Sequence, residues 1–245
     1  MYYPLVTLVF FLYTKEKGIF KRKDVMKITA VLFDLDGTII DTNQLIIKSF
    51  AYTVEKHLGY KIGAEEVIPY FGEPLPLTLQ RFSKDKWEIM LKTYRDYNEK
   101  YHDRYTKIRE DVKEVLARLK EEGIKTAVVT SKRRELAKRG LKLFELDKYF
   151  DVLVGLEDTE KHKPEPDPVL KALELLKSPR EEALMVGDSP YDILSARSAG
   201  VRSVAVKWSV LPFELLIKEK PDYFIEDMWQ LLKIIKGCDE DEHEQ

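Results

Sequence analysis

Apolar residues recur along this chain in two rhythms, and the alternation between them predicts the fold. Ile28 to Leu35 (ITAVLFDL) is a β-branched, mostly apolar run, too short for a helix and stopped by Asp36-Gly37. That is the pattern of a strand buried on both faces. From Asp111 the spacing changes: Val112, Val115, Leu116 and Leu119 fall at i, i+3, i+4 and i+7, and Gly123 stands where a helix C-cap belongs. Ile124 to Thr130 (IKTAVVT) returns to a buried strand, followed by a basic helix from about Lys132 to Phe144. Val152 to Gly155 reads as a third strand and Pro168 to Leu176 as a helix, with Asp167 as its N-cap. Ala183 to Val186 is a fourth strand, Tyr191 to Ala199 a helix ended by Gly200, Ser203 to Val206 a fifth strand, and Met228 to Ile235 a closing helix. Strands alternating with helices in this way specify a parallel sheet with right-handed crossovers, so the expected fold class is α/β with a doubly wound, Rossmann-like core.

Residues 42–106 break the rhythm. Asn43 to Leu58 is amphipathic, Ala64 to Phe71 is short, and Lys84 to Asp103 is long and rich in Tyr, Lys and Glu. This stretch reads as an inserted helical domain, and the Phe71-Gly72-Glu73-Pro74 turn within it is placed to reach back toward the sheet. The expected division is therefore a core from 26–41 and 107–236, a helical insertion over 42–106, and an acidic, disordered tail over 237–245. Residues 1–25 stand apart. Leu5 to Tyr13 is apolar but far shorter than the roughly 20 residues of a spanning helix. It has no positive segment ahead of it and no small-residue cleavage site behind it. Three readings stay open: a start at Met26 with the preceding residues extraneous, a peripheral anchor, and a packed arm.

Charge narrows the partners. Lys and Arg number 41 against 43 Asp and Glu, a net charge of −2, so no whole-protein field favours nucleic acid or a membrane. The single Cys238 excludes an intrachain disulfide and a cysteine-built zinc site, which suits a reducing cytoplasm. A small-molecule partner is what remains, with the oligomeric state undecided.

The chemistry sits at the strand ends, where ligands of open parallel sheets collect. Strand one ends in Asp34-Leu35-Asp36-Gly37-Thr38, strand two in Thr130-Ser131, and strand four in Gly187-Asp188-Ser189-Pro190-Tyr191-Asp192, while Lys163-Pro164 follows strand three. Phosphoryl transfer accounts for this inventory, because a carboxylate cannot approach a phosphoryl group without a cation between them. Asp34 and Asp188 offer hard oxygen ligands for Mg²⁺. Lys163 and the hydroxyls of Thr130 and Ser131 suit the non-bridging oxygens of the substrate. Asp36, two residues past Asp34, is placed to protonate a leaving oxygen and later to take a proton from water. Gly37 leaves room for close backbone approach.

These motifs resemble those of the haloacid-dehalogenase superfamily of phosphatases: DxDGT at Asp34 to Thr38, the strand-ending Thr130, the lysine of Lys163-Pro164-Glu165-Pro166, and GDxxxD at Gly187 to Asp192. The resemblance covers about Ile28 to Ile235 and puts the insertion where that superfamily carries its helical C1-type cap. It implies Asp34 as nucleophile through an aspartyl-phosphate, Asp36 as acid and base, and Thr130 and Lys163 as phosphate ligands. It also implies Asp188 as a metal ligand, the backbone carbonyl of Asp36 as a further metal contact, and Asp192 as a partner behind the ligands or through water. At a finer level Val31 to Ser49, Tyr94 to Asp103, Gly140 to Leu143 and His162 to Leu170 are similar to the PpaX-type inorganic pyrophosphatases of Gram-positive bacteria. That implies hydrolysis of pyrophosphate, with phosphoglycolate phosphatases as the alternative.

Plainer readings stand beside these. Asp34-x-Asp36-Gly37 fails as a calcium loop, since glycine comes at the fourth position and the twelfth lacks a glutamate. Asp192 could cap or salt-bridge the following helix instead. Lys132 to Arg134 read either as a solvated face or, at Lys132, as a cation that steers an anionic substrate. His57, His102 and His162 show no metal spacing and read as surface residues. Trp87, Tyr94, Tyr97 and Tyr101 read as packing within the insertion. A phosphomutase and a catalytically idle binding protein are the rival classes. Phosphate release would argue against the first, and the joint presence of Asp34, Asp36, Lys163 and Asp188 argues against the second.

Overall fold

The structure, a computed structural model, describes residues 27–237; the expectations for residues 1–25, Cys238 and the acidic tail lie outside the described residues. Its first half runs β1 (Ala30–Phe33), β2 (Ile40–Asp41), α1 (Asn43–Leu58), α2 (Ala64–Val67), α3 (Leu75–Phe82), α4 (Trp87–Tyr105), β3 (Lys107–Ile108), α5 (Val112–Glu121) and β4 (Lys125–Val129). Its second half runs α6 (Arg134–Leu143), β5 (Val152–Val154), α7 (Asp167–Leu176), β6 (Ala183–Gly187), α8 (Pro190–Ala199), β7 (Arg202–Val206), α9 (Phe213–Lys218), β8 (Tyr223–Ile225) and α10 (Trp229–Ile235).

The six-stranded sheet has the order β5-β4-β1-β6-β7-β8, and every neighbouring pair is parallel. The chain leaves β1 toward β4 and β5, then returns to β6 on the other side of β1. The switch point therefore lies at β1, where a crevice opens beyond the strand ends. β1 is wholly buried because helices cover both faces. Val31 and Phe33 pack with Val115, Leu116 and Leu119 of α5, whereas Ala30 and Leu32 pack with Val169, Ala172 and Leu173 of α7. This two-sided burial explains the unbroken apolar run.

The strands and helices of the chain match the two rhythms, with three differences besides the β2–β3 pair described below. β8 adds a sixth parallel strand at the sheet edge, beyond the five expected. Asp167 is the first residue of α7 rather than its cap; Pro166 holds the N-cap position and no side chain caps the helix there. α3 and α9 start behind Pro74 and Pro212, and the Pro-Leu-Pro run of α3 looks like a helix breaker. A proline in the first turn costs no hydrogen bond, since the N–H there has no helical partner.

Helices α1 to α4 lie between β2 and β3, which pair antiparallel with Ile40 opposite Ile108 and Asp41 opposite Lys107. Two-residue strands leave no periodic trace, so this pair was not foreseen. The four helices share a second apolar cluster, including Phe50, Val54, Leu79, Met90 and Tyr94, which Leu211 joins from the core. The turn at Gly72 does reach the sheet. Gly72 has φ +85°, and a Cβ there would lie 2.8 Å from the Tyr191 ring and 2.9 Å from the Ser189 side chain at the start of α8. Only a residue without a side chain fits this approach.

Candidate active site

β1, flanked by β4 and β6, delivers Asp34 between Thr130 and Asp188, and the Asp34 amide donates to the Val186 carbonyl at 2.9 Å. Asp34, Thr130, Lys163, Asp188 and Asp192 are all buried at the carboxyl edge of the sheet. Lys163, from the loop after β5, ties the group together. Its ammonium donates to Asp34 Oδ1 at 2.6 Å, to Asp192 Oδ1 at 2.5 Å and to the Val129 carbonyl at 3.1 Å. The other Asp192 oxygen accepts from the Ser189 amide (3.1 Å) and hydroxyl (2.6 Å), closing a capping box on α8. Asp188 is held through its backbone, whose carbonyl accepts from the Ser209 hydroxyl at 2.7 Å. Its carboxylate occupies the space a Cβ on Gly37 would need, so the DxDG turn and Asp188 fit only with glycine there.

Asp36 stands at the mouth, more exposed than Asp34. Its Oδ1 accepts from the Thr42 hydroxyl and from the Lys132 ammonium, each at 2.7 Å, and among the described residues no donor reaches its Oδ2. Lys132 is therefore neither a solvated lysine nor a free steering cation: its side chain is 9% exposed and paired. Sequence periodicity could not show this, because Lys132 precedes α6 and is drawn inward when its amide donates to Thr130 Oγ1 at 3.1 Å. Ser131 joins Thr130 in lining the cavity described below.

Four carboxylates thus face two ammonium groups, with all but Asp36 and Lys132 deeply buried. Burial pushes the Asp34 carboxyl up to about 7; Lys163 opposes the rise and Asp192 adds to it. Burial and the Asp34 charge raise Asp188 well above the usual carboxylate range. Burial would pull Lys163 down, but the charges of Asp192 and Asp34 outweigh it and hold the ammonium protonated. One oxygen each from Asp34, Asp188 and Asp192 lies within 4.8 Å of the others. Since Lys163 and Ser189 already engage both oxygens of Asp192, Asp34 and Asp188 are the pair with capacity left for a cation. An all-oxygen, anion-rich set with excess negative charge fits a hard divalent ion.

Above this edge lies a cavity of about 310 Å³, walled on the far side by the helical insertion through Phe50, Phe71, Tyr94, Arg95 and Asn98. Arg133 also lines it. Arg133 follows closely on the Thr130-Ser131 strand end; sequence alone does not place Arg95 here, though one signal is available. Tyr94, Asn98 and His102 recur at i, i+4 and i+8 on the buried stripe of α4, and polar residues on a buried stripe mark a face turned to something polar. His102 was expected at the surface and is fully buried instead. Its Nδ1 lies 2.8 Å from Asp103 Oδ1, and burial lowers its pKa. His57 is half-buried against Thr93 (2.8 Å), and half-buried His162 lines the cavity. Trp87 and Tyr94 belong to the apolar packing of the insertion, while Tyr97 stacks on Tyr52 and meets Tyr101.

The family model for haloacid dehalogenase-like hydrolases matches residues 31–206, a span that contains every one of these motifs. The chain belongs to that family. It is 99% identical over 220 residues to a protein of Caldanaerobacter subterraneus subsp. tengcongensis provisionally named pyrophosphatase PpaX, a match covering 90% of this chain and 100% of that one. Pyrophosphatase PpaX of Bacillus mycoides strain KBAB4 is 43% identical over 210 residues, covering 86% and 98%. Among solved structures, a haloacid dehalogenase-like family hydrolase from Streptococcus pneumoniae superposes with a TM-score of 0.76 at 27% identity, over 84% of this chain and 97% of its own. The chain is thus an enzyme of haloacid dehalogenase type. No helix among the described residues is long and apolar enough to cross a membrane.

Proposed function

We propose that this hydrolase cleaves inorganic pyrophosphate to phosphate, with Asp34 as the nucleophile. The observation that carries the chemistry is the Asp34–Lys163–Asp192 cluster beside Asp188, a buried carboxylate held in one orientation by a charged donor. The substrate class rests on the names borne by the 99% and 43% identical relatives.

Lys163 binds Asp34 Oδ1, which leaves Oδ2 as the attacking atom and the second lone pair of Oδ1 for a cation. In this mechanism the Asp34 oxygen bonds to phosphorus as the bridging P–O bond breaks, giving an aspartyl-phosphate and releasing phosphate. Asp36, through Oδ2, hands a proton to the departing oxygen, and the Lys132 ammonium stabilises the carboxylate left behind. Water then attacks the phosphorus of the acyl phosphate, Asp36 takes its proton, and the Asp34 carboxylate and a second phosphate are regenerated. Lys163, Thr130 and Ser131 hold the non-bridging oxygens. Magnesium is the proposed cofactor: Asp34, Asp188 and the Asp36 carbonyl would hold it, and when bound it supplies the positive charge that lets two anions meet. The helical insertion, residues 42–106, serves as a cap that closes over the substrate and excludes water.

The deciding experiment measures phosphate release with magnesium from pyrophosphate and phosphoglycolate in parallel. We expect kcat/KM to favour pyrophosphate. A preference for phosphoglycolate by about tenfold, roughly one well-placed charged contact, would replace the substrate and leave the Asp34 mechanism standing.

A further inference from the structure

The cations that line the cavity, and the arginines on the elements beside it, differ in how far they are already neutralised. Lys163 is shared between Asp34 and Asp192, and Lys132 is bound to Asp36. Arg134 is held by Asp158 and the Leu153 carbonyl, Arg139 by both oxygens of Asp103, and Arg81 by Glu73. Arg95 is the exception. It lines the cavity from α4, is half-buried, and has no hydrogen bond or ion pair among the described residues. Its nearest charged neighbour in effect is Arg133, which lines the cavity from the core side and whose one ion pair, to Glu99 at 3.2 Å, lies on an exposed face.

The fold therefore brings two guanidinium groups to one cavity from two separate parts of the chain, and this is unfavourable without an anion. The Arg95 pKa responds as expected: burial lowers it first and the Arg133 charge lowers it further, with Glu157 a partial counterweight. A planar guanidinium pair is suited to a dense oxyanion, which each can grip with two parallel N–H bonds.

We infer that Arg95 and Arg133 form a two-sided anion subsite for the leaving half of the substrate, and that they set the preference for substrates whose leaving group is itself anionic. The inference deepens the proposed hydrolysis and rests on it for the placement of the transferred phosphoryl group at Asp34. Arg95 enters from the insertion and Arg133 from the core, so an anion between them also bridges the two.

The test uses the whole chain with magnesium and compares wild type, R95M, R133M, R95K and R133K on three substrates: pyrophosphate, phosphoglycolate and p-nitrophenyl phosphate, whose leaving side carries no charge in the substrate. The readout is the ratio of kcat/KM for the better anionic substrate to that for p-nitrophenyl phosphate. A second readout is the inhibition constant of methylenediphosphonate relative to that of orthophosphate. The ratio is expected to fall about tenfold or more in R95M and in R133M, as for loss of one charge-assisted contact, with partial recovery in the lysine variants. Methylenediphosphonate should weaken more than orthophosphate in the same variants. Equal losses on all three substrates, or an unmoved ratio, would overturn the subsite. Thermal unfolding identifies a variant that fails to fold, in which case its paired lysine variant and the methionine variant at the other arginine carry the comparison. The pyrophosphate reading is judged separately, by which anionic substrate the wild type prefers. If that is phosphoglycolate, its ratio to p-nitrophenyl phosphate tests the two arginines in the same way.

Discussion

Replacing Lys163 with methionine keeps most of the side-chain volume and removes the charge from the middle of the site. In the native chain that ammonium, 5% exposed, makes three hydrogen bonds and pairs with two buried carboxylates. In K163M, Asp34 and Asp192 face each other and Asp188 with no cation, and the Val129 carbonyl loses its side-chain donor. Removing one partner of a buried ion pair costs about 3–5 kcal/mol, because the remaining charge stays desolvated. Against a total stability of about 5–15 kcal/mol for a typical domain, that is a large share. The chain has one escape, which is to protonate. Asp34 is already raised to about 7 with Lys163 present, so without it the carboxyl should hold its proton at still higher pH. The penalty is therefore expected to be larger near pH 8 than near pH 5.

Chemical denaturation of wild type and K163M at both pH values, with chelator present, measures this directly. A loss under about 1 kcal/mol at pH 8, or one independent of pH, would refute the view that Lys163 neutralises the cluster. Turnover of K163M with magnesium should fall by about a hundredfold or more, as expected when a preorganised donor is lost at developing charge.

Asp34→Asn should abolish steady-state hydrolysis, and Asp36→Asn should leave magnesium binding measurable by titration while turnover stalls; sustained turnover by the first, with deamidation excluded by mass, would remove the nucleophile. The second expectation concerns pH and metal. Because the folded pKa of Asp34 lies above its usual 3.8, at about 7, its contribution to stability is full below about 4 and is lost as the pH rises through about 7. Asp188 shifts in the same direction. The rise in melting temperature on adding magnesium should therefore be larger at pH 8 than at pH 5, and an equal or larger gain at pH 5 would refute it. Gly72→Ala should destabilise by about 1–3 kcal/mol and lower kcat/KM, since the new methyl meets Ser189 and Tyr191 in a left-handed backbone. Gly59→Ala, at φ +80° with open space around it, is the control for backbone strain alone, and equal losses would deny the close contact.

The core was legible because its strands are buried on both faces and its helices on one, so each rhythm appears directly in the residues. The carboxyl-edge residues were legible for a related reason: a polar residue ending an apolar strand has nowhere to point but the crevice. What escaped lies where local pattern is weakest. Two-residue strands such as β2 and β3 have no period, and α3 hides behind Pro74 and Pro76. Lys132 and His102 were misread for a different reason. Their burial depends on elements distant in sequence: Asp36 draws in Lys132 from β1's end, and His102 sits against Gly140 of α6, where a Cβ would lie 3.6 Å from its ring. Helical phase specifies which residues share a face, but not what that face will meet.

Asp192 shows how two readings that compete in the sequence can both describe one side chain. It offered itself either as a helix cap or as a partner of the site, and its two oxygens divide the tasks. Oδ2 accepts from the Ser189 amide and hydroxyl and caps α8, while Oδ1 takes the Lys163 ammonium. A cap alone needs only a neutral acceptor, so an asparagine would serve it. The pairing with Lys163 needs the charge. Fixing one oxygen to the first turn of α8 removes the rotamer freedom of Asp192, and through Lys163 that rigidity passes to Asp34 at the end of β1, whose Oδ1 lies 2.6 Å from the ammonium. The orientation of the proposed nucleophile is thus anchored to a helix terminus by two charged hydrogen bonds. A nucleophile held in this way loses little entropy when substrate arrives.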